Sequence, residues 1–276
     1  MTKNLFDMNR LARNRRRAAS LDPAAMFLHD LAADQLSERL SEVNRRFTNP
    51  AIVSGFNDFW AERFPKAAMV AESEVLDIRT AAHDLVVHAM SLHWANDPVG
   101  QMIQCRRALR PDGLFLGVLL GGRTLHELRS TLTEAEIETR GGLSPRVAPM
   151  AELRDLGGLL QRAGFALPVA DCQVVPVSYP SVRALMLDLR AMGETSALAD
   201  MARHFTPRRL IDRADAIYRQ HFAEDPSRVR ATFELIFLTG WAPDESQQKP
   251  LRPGSARMRL ADALATTENP EPDQHR

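Results

Sequence analysis

Short, continuous runs of apolar residues alternate along the chain with stretches of helical length. Six such runs are found at 51–56, 67–71, 85–87, 114–120, 172–177 and 231–241. Continuous rather than alternating apolar character is typical of parallel strands that are covered on both faces. The pattern therefore predicts an α/β protein with a mostly parallel, doubly wound sheet and helices on both of its faces.

Helices are predicted between these runs by apolar residues at helical spacing and by signals at the helix ends. Asp22 before Pro23 marks the start of an N-terminal helix, and Asn96 or Asp97 before Pro98 marks another. Thr124 with Glu127 has the spacing of a capping box. Further helices are predicted at 57–64, 150–163, 181–192 and 207–222.

These elements suggest three regions. Residues 1–48 form an N-terminal helical segment, and residues 49–245 form the sheet-containing domain with a helical insertion at about 181–225. Residues 246–276 form a C-terminal tail. We expect the tail to be disordered at least from residue 266, because 266–276 contains no apolar anchor.

Composition narrows the function classes. The 276 residues include 35 basic and 35 acidic side chains, so no global field favours a nucleic-acid partner. No apolar stretch is long enough for a transmembrane segment, and the arginine-rich stretch 10–17 lacks the apolar run of a secretory signal. Its arginines either contact an acidic partner or solvate a helix. We expect a cytoplasmic protein.

The cysteines and histidines do not suggest a metal site. The two cysteines, Cys105 and Cys172, are far apart in the sequence, and the eight histidines show neither HxxxH nor HxH spacing. No metal ligand is therefore assigned.

Several motifs occur together with the central block 84–122. They are Asn4-Leu-Phe-Asp7, Gly141-Gly-Leu-Ser-Pro145, Met192-Gly-Glu194 and Thr239-Gly-Trp241. In these motifs the chain resembles class I S-adenosylmethionine-dependent methyltransferases. The resemblance is to the alphaproteobacterial and mitochondrial subgroup related to the complex I assembly factor reported as an arginine hydroxylase. The malonyl-carrier-protein methyltransferase of biotin synthesis is a more distant relative. The resemblance implies a Rossmann-like sheet and S-adenosylmethionine as cofactor.

The glycine-rich cofactor loop is degenerate in this chain. The family carries Asp-x-Gly-x-Gly-x-Gly after its first strand, whereas the matching stretch 51–58 keeps Gly55 alone. Gly55 is a candidate cofactor contact, and a plain turn is the alternative. Only 33 positions separate residues 51 and 84 (84 − 51), which leaves room for one βα unit where the family usually has two. The family's ribose-binding acid, at the end of its second strand, therefore has no clear match.

Four further residues are candidates for the site. The resemblance places Glu72 where the family contacts the adenine amino group, although a solvated loop acid explains it equally well. His93 follows the strand at 85–90 and is the candidate catalytic residue, as a general base or as a group that orients a nucleophile. Leu92 and Trp94 would line the cofactor pocket. The alternatives are that Trp94 packs against the next helix and that His93 caps backbone groups.

Three functions remain open on these grounds. The first is methyl transfer to an unknown small-molecule or protein acceptor with weakened cofactor binding. The second is a non-catalytic assembly or scaffold role for a respiratory-complex subunit. The third, hydroxylation of a protein arginine, comes from the resemblance alone.

Overall fold

The computed structural model describes residues 4–21, 23–201 and 205–248. The chain divides into two compact units, Met1–Asp244 and Glu245–Arg276, and all of the described helices and strands lie in the first unit. Two predictions lie wholly or mostly outside the described residues: Asp22 as a helix cap, and the disordered tail.

Eight helices are described. They are α1 (Met8–Ala18), α2 (Phe27–Glu42), α3 (Asn57–Arg63), α4 (Pro98–Ala108), α5 (His126–Arg140), α6 (Leu153–Arg162), α7 (Val182–Ala191) and α8 (Arg208–Phe222). Seven strands are described. They are β1 (Pro50–Ser54), β2 (Ala68–Ala71), β3 (His83–Ala89), β4 (Leu109–Leu120), β5 (Ala166–Tyr179), β6 (Ala223–Asp225) and β7 (Arg228–Trp241). No described helix is long and apolar enough to cross a membrane.

The strands form one mixed sheet in the order β2-β1-β3-β4-β7-β5, with β6 paired to β7. Strands β2, β1, β3 and β4 are parallel, and β7 runs antiparallel to both β4 and β5. Among the described strands, only β2 lies on the side of β1 that faces away from β3. The prediction of a doubly wound, mostly parallel sheet that lacks one βα unit is thus confirmed.

Alternate residues of the strands pack on opposite faces of the sheet. On one face Ile52, Val87 and Leu116 lie in a core cluster that includes apolar side chains of α2, α5, α7 and α8. On the other face Val53 and Val86 lie in a cluster with α4 and α6. Because helices cover both faces of the sheet, these strands are apolar along their whole length and not only at every second residue.

The capping box predicted at the start of α5 is wrong. Thr124 Oγ1 instead donates to the backbone carbonyl of Glu234, and Glu127 accepts from both the backbone N–H and the hydroxyl of Thr232. The N-cap residue is Leu125, whose φ of 55° is left-handed. Both side chains therefore connect the start of α5 to β7. The backbone groups of β7 at this point need hydrogen-bond partners, and these two side chains provide them.

The N-terminal segment lies across the carboxyl ends of the parallel strands. Phe6 forms an isolated bridge with Leu198, and its ring meets the indole of Trp94 edge to face at 5.1 Å. The backbone N–H of Phe6 donates to Asn96 Oδ1 at 2.9 Å. This packing positions α1 directly over the edge of the sheet where ligands of such folds bind.

Candidate functional site

The reversal of strand order between β1 and β3 marks a crevice at the carboxyl edge of the sheet. From β1 the chain passes to β2 on one side, and from β3 it passes to β4 on the other. Ligands of open α/β sheets bind at such a switch point. Gly55 and Phe56 follow β1 here, Glu72 follows β2, and Met90 follows β3.

A buried arginine from α1 occupies this crevice. Arg15 is only 5% exposed; its Nη1 donates to Glu194 Oε1 at 2.7 Å and its Nε to Glu72 Oε1 at 3.3 Å. Its Nη2 donates to the carbonyl of Met90 at 3.3 Å, and its guanidinium lies 4.8 Å from the ring centre of Phe56. Burial alone would lower the pKa of Arg15, but Glu194 and Glu72 together raise it. The side chain is therefore charged and held on several sides.

Glu194 is the centre of the network. Its Oε2 accepts from Trp94 Nε1 at 2.8 Å and from His93 Nε2 at 3.1 Å, while Oε1 binds Arg15. Burial alone would raise the pKa of Glu194, but Arg15 and His93 outweigh it and hold that pKa well below its ordinary value. The carboxylate therefore stays ionised, and its oxygens fix the indole and the imidazole in place.

The imidazole of His93 is oriented on both sides. Its Nε2 donates to Glu194, and its Nδ1 accepts from the backbone N–H of Leu120 at 3.5 Å. With the side chain only 1% exposed, the contacts observed for His93 are to the protein itself. In this arrangement His93 positions Glu194 and the end of β4.

The structure brings Gly55, Glu72, His93 and Trp94 to one crevice but separates Leu92 from them. Leu92 is 2% exposed and lies in the core cluster with α4. Glu72 has 14% side-chain exposure and is paired with Arg15, so it is not a fully solvated loop acid. The assignment of these residues to a cofactor stays a prediction.

Arg15 and Glu194 are the members of the site that were not predicted. Leu11, Arg15 and Ala18 share the inward face of α1, at the i, i+4, i+7 spacing of a helix. That spacing could have identified Arg15 within the run of arginines. Glu194 ends the motif Met192-Gly-Glu194 of the resemblance, but no pattern in the sequence connects it with Arg15, which lies 179 positions away.

As its side chains stand, the crevice above Gly55 holds charged groups of the protein itself. A Cβ built on Gly55 would lie 2.5 Å from Glu72 Oε1 and 2.9 Å from Arg15 Nε, so the space above the loop glycine is filled. The ring of Phe56 packs against the same guanidinium, with its centre 4.8 Å from Arg15 Cζ. The positions that should admit a cofactor therefore hold the protein's own side chains.

Glu72 nevertheless matches two positions of the family at once. Because β2 pairs directly with β1, Glu72 ends the second strand of the sheet, and its backbone N–H donates to the carbonyl of Ser54 at 3.1 Å. The resemblance places the ribose-binding acid at the end of the second strand. One residue thus falls on both the ribose and the adenine positions of the family.

A second feature of the same edge is an apolar cavity of about 280 Å³. The cavity is separated from the crevice by Trp94, Glu194 and Leu120. Its other described walls come from α5, α7, α8 and the segment 144–150; they include Leu125, Leu128, Leu132, Val147, Met150, Met186, Leu189 and Ile211. Unlike the crevice, this space is open.

The segment that forms one wall of the cavity is clamped by Glu136 of α5. Both of its oxygens accept from Ser144, and Oε1 accepts from Arg146 Nη2 at 2.8 Å. Burial alone would raise the pKa of Glu136, but these hydrogen bonds lower it to about 2. The clamp closes the loop that begins at Gly141, whose φ is 66°.

Replacing Glu136 with glutamine is expected to release this loop without unfolding the sheet. The amide keeps the shape but loses the charge that holds Arg146 and one acceptor for Ser144, so amide exchange in 143–147 should quicken about tenfold. Hydrogen exchange followed by mass spectrometry measures this. Glu138→Gln, on the same helix and paired only at the surface with Arg213, is the control. Equal exchange in both variants would contradict the clamp.

No group of three or more His, Cys, Asp and Glu side chains that could hold a metal ion occurs in the part of the chain that the structure describes. The carboxyl edge of the sheet brings together the carboxylates of Glu72 and Glu194, the Arg15 guanidinium, the His93 imidazole and an apolar cavity.

Comparison with known proteins gives the family. The sequence profile of the methyltransferase domain matches residues 30–117. The arginine hydroxylase NDUFAF5, mitochondrial, of Danio rerio is 36% identical over 82% of this chain and 71% of its own length. The Homo sapiens protein of the same name is 39% identical over 70% of this chain. The chain spans only 56% of that human relative.

Two further matches are more distant. The malonyl-[acyl-carrier protein] O-methyltransferase of Laribacter hongkongensis is 31% identical over 68% of this chain and 61% of its own length. Among solved structures, the YcgJ protein of Bacillus subtilis is 12% identical, with a TM-score of 0.47, over 76% of this chain and 98% of its own. The chain therefore belongs to the same family of methyltransferase-domain proteins as the arginine hydroxylase NDUFAF5.

Proposed function

We propose that this chain is an assembly protein that keeps the methyltransferase fold as a binding scaffold and acts without S-adenosylmethionine. The observation that supports this is the Arg15 guanidinium, which lies over Gly55 between Glu72 and Glu194. A cofactor entering here would have to separate a buried cation from both carboxylates. Separating such a pair leaves uncompensated buried charge, which is strongly unfavourable.

The partner in this proposal is a respiratory-complex subunit. The motifs of the chain resemble those of the complex I assembly factor, and relatives named NDUFAF5 match most of its length. We place the contact on the loop clamped by Glu136, where Leu143 is 67% exposed beside the cavity wall. A cytoplasmic location stays a prediction.

Titration calorimetry with S-adenosylmethionine tests the first half of the proposal. We expect no heat of binding to the full chain at millimolar ligand, because Arg15, Glu72 and Phe56 fill the cofactor space. A related S-adenosylmethionine-dependent methyltransferase run in the same buffer is the positive control. Binding with a micromolar dissociation constant would overturn this half of the proposal.

Complementation of a deletion strain tests the second half. We expect Leu143→Asp to abolish assembly of the respiratory complex, because it places a charge on the exposed contact loop. His93→Gln keeps an N–H donor for Glu194 and should restore assembly as well as the wild type. Full function of Leu143→Asp together with failure of His93→Gln would indicate chemistry at the imidazole instead.

Methyl transfer is the second candidate, and one observation favours it. Glu72 Oε2 is buried without a hydrogen-bond partner among the described residues, next to a hollow that Asp7, Ser73 and Glu74 also line. An unpaired carboxylate oxygen is a suitable acceptor for ribose hydroxyls. The calorimetric titration separates this candidate from the first.

Hydroxylation of a protein arginine is the third candidate. It takes its support from the name of the relatives and from Glu194, a cavity-lining carboxylate that here holds a guanidinium. Mass spectrometry of the partner subunit from a deletion strain tests it. Unchanged arginine masses relative to the wild type would remove this candidate.

A further inference from the structure

The apolar cavity has no role in the proposed assembly function, yet its lining is that of a ligand site. At about 280 Å³ it is nearly twice the volume of an engineered apolar cavity of about 150 Å³ that binds benzene in another protein. Leucine and methionine are the most frequent side chains in its described walls, and Trp94 is the single aromatic residue among them. Flexible aliphatic walls of this kind fit an unbranched chain better than a flat ring.

Two polar atoms of lining residues have no partner in the described chain. Ser196 Oγ and Arg146 Nε are buried without a hydrogen bond, although both residues line the cavity. Buried donors are rarely left unpaired in folded proteins. Both atoms can donate, and a hydrogen-bond acceptor on a bound ligand would satisfy them.

The charges around Arg146 restrict the chemical class of that acceptor. Arg146 Nη2 already donates to Glu136 Oε1 at 2.8 Å, and its Nη1 donates to Thr206 Oγ1 at 3.0 Å. The free Nε–H therefore belongs to a cation that is already paired. It suits a carbonyl oxygen, which brings no charge of its own, at least as well as a carboxylate.

From these observations we propose that the cavity binds a linear aliphatic acyl group, with its chain among the leucines and its carbonyl toward Arg146 and Ser196. The volume of about 280 Å³ corresponds to a chain of about eight or nine carbons, at roughly 30 Å³ for each group the size of a water molecule. The acyl group could arrive as a free fatty acid or as a thioester. Both share the chain and the carbonyl that this site recognises.

The test uses the full chain and two sets of probes. Hexanoate, octanoate and decanoate form one set, and their N-acetylcysteamine thioesters form the other; binding is followed by titration calorimetry. We expect affinity to rise about fourfold for each added methylene until the cavity is full. Tighter binding of the thioesters identifies a carrier-bound acyl group as the source, and tighter binding of the acids identifies a free fatty acid.

Matched variants on α7 connect the binding to the cavity. Leu189→Phe fills it and should abolish binding, whereas Leu187→Phe makes the same change at a position that is 54% exposed and outside the lining. Met186→Phe, at a half-buried lining position, provides a second filled variant if Leu189→Phe fails to fold. Ser196→Ala should weaken binding about threefold to tenfold by removing one donor.

Three outcomes would overturn the proposal. The first is that none of the six probes binds the wild type, as expected if a partner's peptide is the true occupant. The second is affinity that does not change with chain length. The third is equal binding by folded Leu189→Phe or Met186→Phe and by Leu187→Phe.

Discussion

Replacing Glu194 with leucine is expected to lower the free energy of unfolding by about 3–5 kcal/mol. The change leaves the Arg15 guanidinium, which is 5% exposed, without its 2.7 Å partner. It also removes the acceptor for the N–H groups of His93 and Trp94. Urea unfolding at pH 7 followed by circular dichroism measures the loss.

A double variant separates the charge effect from packing. Arg15→Met combined with Glu194→Leu replaces the pair by apolar groups and should recover most of the stability that Glu194→Leu loses. Glu138→Gln breaks an exposed ion pair with Arg213 and should change the unfolding curve little. If Glu194→Leu cost less than about 1 kcal/mol, the range typical of exposed pairs, the buried network would not be holding α1 on the sheet.

This dependence gives the crevice a structural role. At this edge of the sheet α1 meets the segment that follows α7, and Arg15 joins Glu194 to Glu72 across the junction. Buried polar groups at this junction need hydrogen-bond partners within the protein. Arg15 satisfies the carbonyl of Met90 in this way.

Strands β1, β3, β4 and β7 could be predicted from sequence because most of their residues are buried and form continuous apolar runs. The apolar pattern marks only residues 172–177 of β5, whose burial alternates along the strand, and it does not mark β6, whose three residues are exposed. The start of α4 could also be predicted, since Asp97 accepts from the backbone N–H of Gly100 within the same turn. Both features depend on neighbours in the sequence. Local signals of this kind fix the fold class.

The site could be predicted only in part, because its main contacts join distant parts of the chain. Gly55, Glu72, His93 and Trp94 each follow a strand, so the rule that ligands bind at the carboxyl edge brought them together. Glu194 follows a helix, and its partner Arg15 lies in a short helix with few apolar residues. The failed capping box has the same origin, since Thr124 and Glu127 bond to β7 rather than to their own helix.

Acidification from pH 7 to pH 5 is expected to lower the free energy of unfolding by about 4 kcal/mol through two buried histidines. Burial lowers the pKa of His29 to about 3 and that of His88 to about 4, from an ordinary value of 6.5. The unfolded chain therefore takes up both protons below pH 6.5, whereas the folded protein does not. The stabilisation that comes from the two neutral histidines is fully present above pH 6.5. By pH 5 the free energy of unfolding has fallen by about 2 kcal/mol for each histidine.

The contact of the His29 ring opposes its protonation, whereas the contact of the His88 ring with Gln101 raises the pKa of His88 and is outweighed by burial. His29 Nδ1 accepts from Trp60 Nε1 at 3.3 Å, and His88 Nε2 lies 2.8 Å from Gln101 Oε1. A proton on Nδ1 would break the first contact and leave a buried charge. The pKa of Glu194 is also lowered. Its protonation changes the free energy of unfolding only below the ordinary pKa of 4.5, which lies outside the range from pH 7 to pH 5.

Urea unfolding curves at pH 7 and pH 5 provide the measurement, with His88→Gln and His29→Gln as test variants. Each substitution should reduce the difference between the two pH values by about 2 kcal/mol, because glutamine binds no proton in either state. His221→Gln changes an exposed histidine and should leave the difference as it is in the wild type. An identical pH difference in His88→Gln and His221→Gln would mean that the buried ring is protonated as readily in the folded protein as in the unfolded chain. That result is incompatible with a fully buried imidazole whose contacts are all to neutral groups.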